Sequence, residues 1–333
     1  MLKQYYEPKK AAGGSIEDAE EALASPGYYA QEKLDGHRLI VQIDEDGTAR
    51  AYTRVVGKHS KVPGDKTGKL QHILDECKKL YPKGTVLDGE VLLPVGPGIP
   101  LSKSHLVATA IADPGVYGLV QYGIFDVIAY GGRELIDETA EVRASYIQEG
   151  EEHTFAVRNV WLPSAKKKFL ETIWANGGEG IILKDKNSPY DSKRNKMWIK
   201  VKQVREYDVV FMGVEAAKEK SLKKGAIAET DTKYKGLAGA IVFGQYVVTP
   251  VLADDLQLLG CETTLTKLGT VSGFTDEQRE DITANAEKYT REQRVFTVRS
   301  QERTETGALR HPRFVCWRDD KDAFDCVLRM DES

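Results

Sequence analysis

The chain has 333 residues, room for about two domains. Its 41% hydrophobic and 29% charged residues are ordinary for a globular protein and exclude a disordered or fibrous chain. The formal net charge of −4 is not the basic footprint of a typical nucleic-acid binder, but acidic residues cluster at Glu17-Asp18-Ala19-Glu20-Glu21 and Glu149-Gly150-Glu151-Glu152 while lysines bunch elsewhere. Local potential guides a polyanion, so a basic face remains open.

Along the chain, the start Met1-Leu2-Lys3-Gln4-Tyr5-Tyr6 has no apolar core of a signal peptide. No later run reaches the ~18 apolar residues of a membrane span, so a cytoplasmic protein is expected. Residues 15–24 read as an amphipathic helix opened by Ser15, with Asp18 completing an approximate capping box. The apolar stretch Tyr28-Tyr29-Ala30 leads into Glu32-Lys33-Leu34-Asp35-Gly36-His37-Arg38, where Asp35-Gly36 gives a tight turn into the next strand and Gly36 tolerates positive φ. Leu39 to Ile43 and Thr48 to Thr53 flank Asp44-Glu45-Asp46-Gly47 as a hairpin. Leu70, Ile73, Leu74, Cys77 and Leu80 recur at helical spacing before Pro82. Strands are expected at Thr85 to Leu93, Tyr122 to Ala129 and Gly180 to Lys184, and a helix at Lys166 to Trp174, stopped by Asn176-Gly177-Gly178.

After Lys202 short strands follow: Tyr207 to Val214, Leu237 to Phe243, Gln245 to Thr249, Arg294 to Val298 and Arg313 to Trp317, with a helix at Thr275 to Tyr289. This texture suits a small closed barrel, with a domain boundary near Val204-Arg205-Glu206. The cysteines Cys77, Cys261, Cys316 and Cys326 form no C-x-x-C pair, which argues against a zinc site or disulfide framework. Cys77 and Cys316 are expected to be buried bystanders.

Several charged residues sit beside these apolar runs. A lysine attacks phosphorus only when neutral, and a pKa near ~10.4 leaves it almost wholly protonated at pH 7. Arg38, Lys200, Lys202 and a bound metal would supply a field that activates Lys33. Lys33 alone also reads as an exposed lysine in a D-G turn, and Arg54 as a solvated strand residue. Glu90 and Glu179 interrupt Val/Leu/Ile strands and need partners. Ligand hydroxyls and a divalent ion would serve, as would structural ion pairs with Arg54 or Lys200. Asp88 is read as orienting the turn. Lys200 and Lys202 alternate with Ile199 and Val201, either aimed together at a polyanion or forming a solvated face. Phe125 reads as core.

In order, Lys33-x-Asp35-Gly36-x-Arg38, Asp88-Gly89-Glu90, Phe125-Asp126, Glu179-Gly180, Lys200-x-Lys202 and Arg318-x-Asp320-Lys321 resemble the nucleotidyltransferase superfamily of ATP-dependent DNA ligases, RNA ligases and mRNA capping enzymes. The likeness is greatest to small bacteriophage-type DNA ligases and spans residues 15 to 325. It implies an α+β fold: an adenylylation domain (nucleotidyltransferase, ATP-grasp-like) of antiparallel sheets with flanking helices over residues 1–205. A C-terminal OB-fold β-barrel over residues 206–333 would follow, with no further appendage. Resemblance makes Lys33 the adenylylated residue and places Glu32, by side chain or backbone, at the adenine amine. It sets Arg38 and Arg54 at the AMP ribose and the nick 5′-phosphate, Phe125 under the adenine, and Lys200 and Lys202 at the triphosphate. Glu90 would contact ribose and metal, and Glu179 metal. Arg318 and Lys321 would orient the departing pyrophosphate, with Val204-Arg205-Glu206 as a hinge. The implied cofactors are ATP and Mg2+, or Mn2+ in its place. The implied partner is nicked double-stranded DNA, with no membrane, acted on by a monomer, plausibly phage-encoded. An RNA ligase or capping-type enzyme is the alternative, and a non-enzymatic OB protein with a dead nucleotide pocket is a third reading. Between the first two barrel strands, Lys218, Lys220, Lys223 and Lys224 form a polar lysine-rich segment that would order against DNA.

Overall fold

The computed structural model describes residues 2–13, 16–56, 62–93, 104–217, 234–252, 258–300, 302–304 and 307–328. The chain divides into two compact units, Met1–Lys202 and Gln203–Ser333.

The first unit opens with β1 (Lys10–Gly13), α1 (Ile16–Ala24), β2 (Tyr28–Glu32), the hairpin β3 (His37–Ile43) and β4 (Ala49–Val56), and β5 (Pro63–Asp65). There follow α2 (Gln71–Leu80), β6 (Thr85–Leu92), α3 (Ser104–Ala112), β7 (Gln121–Tyr130), β8 (Arg133–Glu134) and α4 (Ala140–Ala144). The unit closes with β9 (Thr154–Ala156), β10 (Asn159–Val160), α5 (Pro163–Ala175), β11 (Gly180–Asp185) and β12 (Arg194–Lys202). One sheet runs β1-β12-β11-β2-β10 and the other β5-β4-β3-β6-β7-β8, with β9 beside β7. Most pairings are antiparallel; β1 with β12 and β7 with β9 are parallel.

Strand alternation decides the layers. Leu39, Val41, Leu87, Ile124 and Val127 pack beneath Ile73, Leu74 and Cys77 of α2. The opposite face of that sheet sends Ile40, Tyr52, Val86 and Ile128 against Trp198 and Ile182 of the second sheet. The far face of the second sheet, with Ala30, Ile181, Leu183 and Ile199, lies under α1 and α5. The unit is therefore helix, sheet, sheet, helix. Charged strand residues that avoid both outer cores must face the layer between the sheets.

Local chemistry explains most boundaries. Gly47 takes φ +93° in the β3–β4 turn, where the Asp44 N–H donates to the Thr48 carbonyl at 2.8 Å. Helix α5 starts earlier than the pattern predicts because Pro163 occupies its first turn, where a missing N–H costs nothing. It ends with Gly177 at φ +76° and the Gly178 N–H on the Ile173 carbonyl at 2.8 Å. The expected Ser15 cap lies outside the described residues. Helix α3 has no counterpart in the sequence reading, although it buries Val107, Ala110 and Ile111.

In the second unit, β13 (Arg205–Ala216), β14 (Ala238–Leu252), β15 (Leu258–Val271), α6 (Asp276–Arg291), β16 (Val295–Ser300), β17 (Glu302–Arg303), β18 (Leu309–Arg310) and β19 (Arg313–Trp317) follow in order. An antiparallel sheet of order β15-β14-β13-β16-β19 packs Phe211, Ile241, Phe243 and Phe296 against Ile282 and Tyr289 of α6. Thr275 and Gln278 form a reciprocal capping box at the start of that helix.

Three expectations are corrected here. The two strands read around Gly244 are one strand, β14; Gly244 marks a close approach, since a Cβ there would lie 2.2 Å from the Thr266 carbonyl oxygen. Strand β15 was not anticipated because Cys261 to Lys267 carry little buried apolar surface and give no alternation signal. Cys316 is exposed, not buried. Thr297 pairs with Cys316 but Val298 pairs with Phe314, so Val315 is a bulge that lets Phe314 and Trp317 share the core side.

A buried carboxylate ties α2 to the strand-leading segment 151–154. Glu76 accepts the N–H groups of Glu151 (2.9 Å), His153 (2.7 Å) and Thr154 (3.2 Å) and the Thr154 hydroxyl (2.7 Å). Burial opposes its charge, yet these donors hold its carboxyl down to about 2. A depressed carboxyl contributes stability that is present above its ordinary 4.5 and lost as pH falls toward about 2. Glu76→Gln is expected to cost about 2 kcal/mol at neutral pH in urea unfolding. It should also flatten the acid dependence in that window, and an unchanged acid profile would rule the clamp out.

Candidate active site

Lys33 lies just beyond β2, where its backbone N–H donates to the Gly180 carbonyl at 2.8 Å. Strand pairing sets Lys202 opposite Gly180 and Lys200 opposite Ile182. Gly180 has φ +142°, and a Cβ there would stand 2.0 Å from the Val201 carbonyl oxygen, so this junction requires glycine. The result brings three expected residues together: the Glu179 carboxylate bridges the ammonium groups of Lys33 and Lys202. Burial opposes the Glu179 charge, but the two lysines hold its carboxyl below the ordinary range. Burial, then Lys202, Arg194 and Lys33, lower the Lys200 ammonium. The direct side-chain partner of Lys33 is thus a carboxylate, whereas the sequence pattern pointed to surrounding cations. The structural-pair expectation for Glu179 also changes partner, to Lys33 and Lys202 instead of Lys200.

Across the layer, β3 and β6 pair Arg38 with Glu90 and Ile40 with Asp88. Arg38 grips Asp88 through both arms of its fork, Nε to Oδ1 at 2.9 Å and Nη2 to Oδ2 at 2.5 Å. The Tyr190 hydroxyl donates to the same carboxylate at 2.6 Å. Asp88 is fully buried, and it is the residue that sequence reasoning undervalued. Its signal was available: an aspartate inside Thr85-Val86-Leu87-Asp88 needs a buried cation. The Arg38 guanidinium lies 5.0 Å from the Phe125 ring centroid, so the partly buried Phe125 both packs on the inter-sheet core and faces a cation. Glu90 is near enough to feel Arg38 and Lys33; burial nonetheless pushes its carboxyl up to about 7. Glu32 is half-buried on β2, and burial raises its carboxyl. Arg54 is exposed on β4. Burial, then Lys66 and Arg54, lower the His37 imidazole, so a small basic group surrounds that edge. Gly36 is not in the positive-φ region. Space demands it, because a Cβ would meet the Val91 carbonyl oxygen at 2.0 Å.

Among the described residues no three acidic, histidine or cysteine side chains cluster as a ready metal cage. Glu90 and Glu179 carry the carboxylate oxygens that magnesium takes, and a magnesium ion bound with phosphate oxygens needs only one or two of them from the protein.

Within the second unit, Arg318 and Lys321 converge on one carboxylate. Arg318 Nη1 reaches both oxygens of Asp208 at 3.1 Å, and Lys321 Nζ reaches Oδ2 at 2.5 Å. Thr297 donates its hydroxyl to Oδ1 at 2.6 Å. Lys218, Lys220, Lys223 and Lys224 lie outside the described residues.

A lysine and its carboxylate partner meeting at a layer between antiparallel sheets, with Arg38, Glu90 and Phe125 on strands of the facing sheet, is the arrangement expected of the nucleotidyltransferase class. The family model described as ATP dependent DNA ligase domain matches residues 9–202. The chain belongs to the ATP-dependent DNA ligase family. Among curated relatives, a DNA ligase of Archaeoglobus fulgidus is 31% identical over 87% of this chain and 51% of its own length. A probable DNA ligase of Kineococcus radiotolerans is 29% identical over 62% of this chain and 39% of its own. The chain thus spans about half or less of the length of these relatives. A solved Lig E DNA ligase shares the fold at TM-score 0.61 and 19% identity, over 94% of this chain and all of that one. No helix among the described residues is long and apolar enough to cross a membrane.

The Arg38–Asp88 pair yields a stability test. Asp88→Ala should cost about 3–5 kcal/mol, because it strands a buried guanidinium. The double variant Asp88→Leu/Arg38→Met should recover part of that loss in urea unfolding. Equal losses in single and double variants would show that the pair is not the buried unit described.

Proposed function

We propose that the chain is an ATP-dependent DNA ligase that seals nicks in duplex DNA through a lysine–AMP intermediate. The contact of Lys33 with Glu179, shared with Lys202, carries this reading: it holds one partly exposed amine in place beside a second lysine. Residues 1–205 act as the adenylylation domain. Residues 206–333 act as an OB-fold domain; an antiparallel sheet packed on a single longer helix supports that assignment.

In the first step the neutral Lys33 amine attacks the α-phosphorus of ATP, forming a P–N bond as pyrophosphate departs. Glu179 orients that amine beforehand, and Lys200 and Lys202 face the phosphate charge. Arg318 and Lys321 orient the pyrophosphate. AMP then passes to the 5′-phosphate at the nick, freeing Lys33, and the 3′-hydroxyl displaces AMP to form the phosphodiester. Phe125 carries the adenine, with Glu32 at its exocyclic amine. Arg38 and Arg54 bind the AMP ribose and the nick phosphate. Magnesium, or manganese in its place, would be held by Glu90 and Glu179 with phosphate oxygens and would offset developing charge when bound. The enzyme is proposed to work as a cytoplasmic monomer.

Intact mass tests the central step. After stripping with pyrophosphate, the parent incubated with ATP and magnesium should gain one AMP, and Lys33→Ala none. Labelled GTP should give no adduct, and nicked DNA should be sealed in preference to nicked RNA duplex. An adduct on Lys33→Ala, or none on the parent, would overturn the reading. Neutralising Lys220, Lys223 and Lys224 together should weaken nicked-duplex binding and flatten its salt dependence, while self-adenylylation is spared. Unchanged binding would remove these lysines from the DNA interface.

A further inference from the structure

Phe125 occupies an irregular position in its strand. Asp88 pairs with Asp126 but the next residue, Gly89, pairs with Ile124, leaving Phe125 without a partner on β6. This bulge has a direct consequence for side-chain direction. Ile124 and Val127 both enter the core beneath α2, so the intervening Phe125 and Asp126 both turn toward the layer between the sheets. Plain alternation would have sent one of them the other way.

A bulge also takes a backbone carbonyl out of the ladder, and a buried carbonyl must find donors elsewhere. The Phe125 carbonyl has two. Lys184 Nζ donates to it at 2.9 Å, and Gln31 Nε2 at 3.2 Å. Both donors come from the facing sheet and both are almost completely buried. Gln31 is itself fixed by donating to Asn159 Oδ1 at 2.7 Å. Lys184 sits between its cross-strand neighbours, with Nζ 3.9 Å from the Trp198 ring centroid and 6.0 Å from that of Tyr29. Its counter-charge is Asp126 at 3.6 Å, which Arg143 grips in turn at 2.8 Å.

Burying a lysine this deeply is unfavourable unless its donors are used. Burial pushes Lys184 down to about 7, against the pull of Asp126 and Asp88. A leucine or methionine would fill the same volume without that penalty. What the apolar side chains could not do is donate a hydrogen bond to a bulged carbonyl across the gap between two sheets.

We propose that Lys184, seconded by Gln31, is a positioning residue for nucleotide binding: it clamps the bulged Phe125 backbone and so sets the ring against which the purine stacks. The proposal rests on the ligase reading and adds to it a residue acting through Phe125 instead of touching the nucleotide. Lys184 is expected to matter for how tightly ATP is held, and less for how fast bound ATP reacts with Lys33.

A double-mutant cycle tests it. The parent, Lys184→Met, Phe125→Ala and the double variant are compared for the ATP dependence and maximal rate of Lys33 adduct formation, with urea unfolding as a control on folding. Lys184→Met and Phe125→Ala should each raise the half-saturating ATP concentration about tenfold with a smaller change in maximal rate, and the double variant should be no worse than Phe125→Ala. If the two effects multiply, or if Lys184→Met leaves the ATP dependence unchanged, the proposal is overturned. Should Lys184→Met not fold, Gln31→Leu enters the same cycle with the same expected non-additivity. An absent adduct in the parent would defeat the ligase reading itself. A normal parent with a Phe125→Ala variant whose ATP dependence is unchanged would defeat only the clamp and its aromatic platform.

Discussion

The bidentate pairing of Arg38 with Asp88 is the constraint on which the first unit's architecture turns. Two sheets face one another, and the layer between them holds charges that water barely reaches: Asp88, Asp126, Arg143, Lys184 and Lys9 are all essentially buried. A lone charge there would cost several kcal/mol, of order 3–5 when one partner is removed. Each is therefore paired, Arg38 with Asp88, Arg143 and Lys184 with Asp126, and Lys9 with Asp191 at 2.6 Å. Tyr190 links these sets, with its hydroxyl on Asp88 and its ring 5.5 Å from the Arg143 guanidinium.

This internal satisfaction distinguishes the deep residues from those nearer the surface. Lys33, Glu179 and Lys202 keep 15–23% of their side-chain surface exposed and form a compact triplet of two cations and one anion. Such a partly exposed group can exchange its carboxylate partner for water. The buried pairs cannot be exchanged so cheaply, and they hold the strands that carry the exchangeable group. In the second unit Asp208 gathers Arg318 and Lys321 in a comparable partly exposed cluster.

Breaks in regular alternation decide which way these side chains face. The bulge at Phe125 turns two successive side chains inward, and that at Val315 turns Cys316 outward. Gly36 and Gly180 are needed where a Cβ would strike a neighbouring carbonyl oxygen at 2.0 Å in each case. These features share one property: each is set by the partner strand, and none by the residue's own neighbours in sequence.

Much was legible from the chain by itself. Apolar periodicity and turn residues gave the β3–β4 hairpin, α2, α5, β6, β7 and β11, and carboxylates interrupting apolar strands marked Glu90 and Glu179. The order of short motifs around Lys33 carried the family resemblance. Tertiary structure alone decided the partners: Glu179 for Lys33, Asp88 for Arg38, and Lys184 with Gln31 for the Phe125 carbonyl. It also decided the long exposed strand β15, whose polar sequence gives no alternation to read. The reason is physical. Local propensity and periodicity depend on residues a few positions apart, whereas desolvation and hydrogen-bond satisfaction depend on strands separated by tens of residues, brought to one layer only when the sheets close.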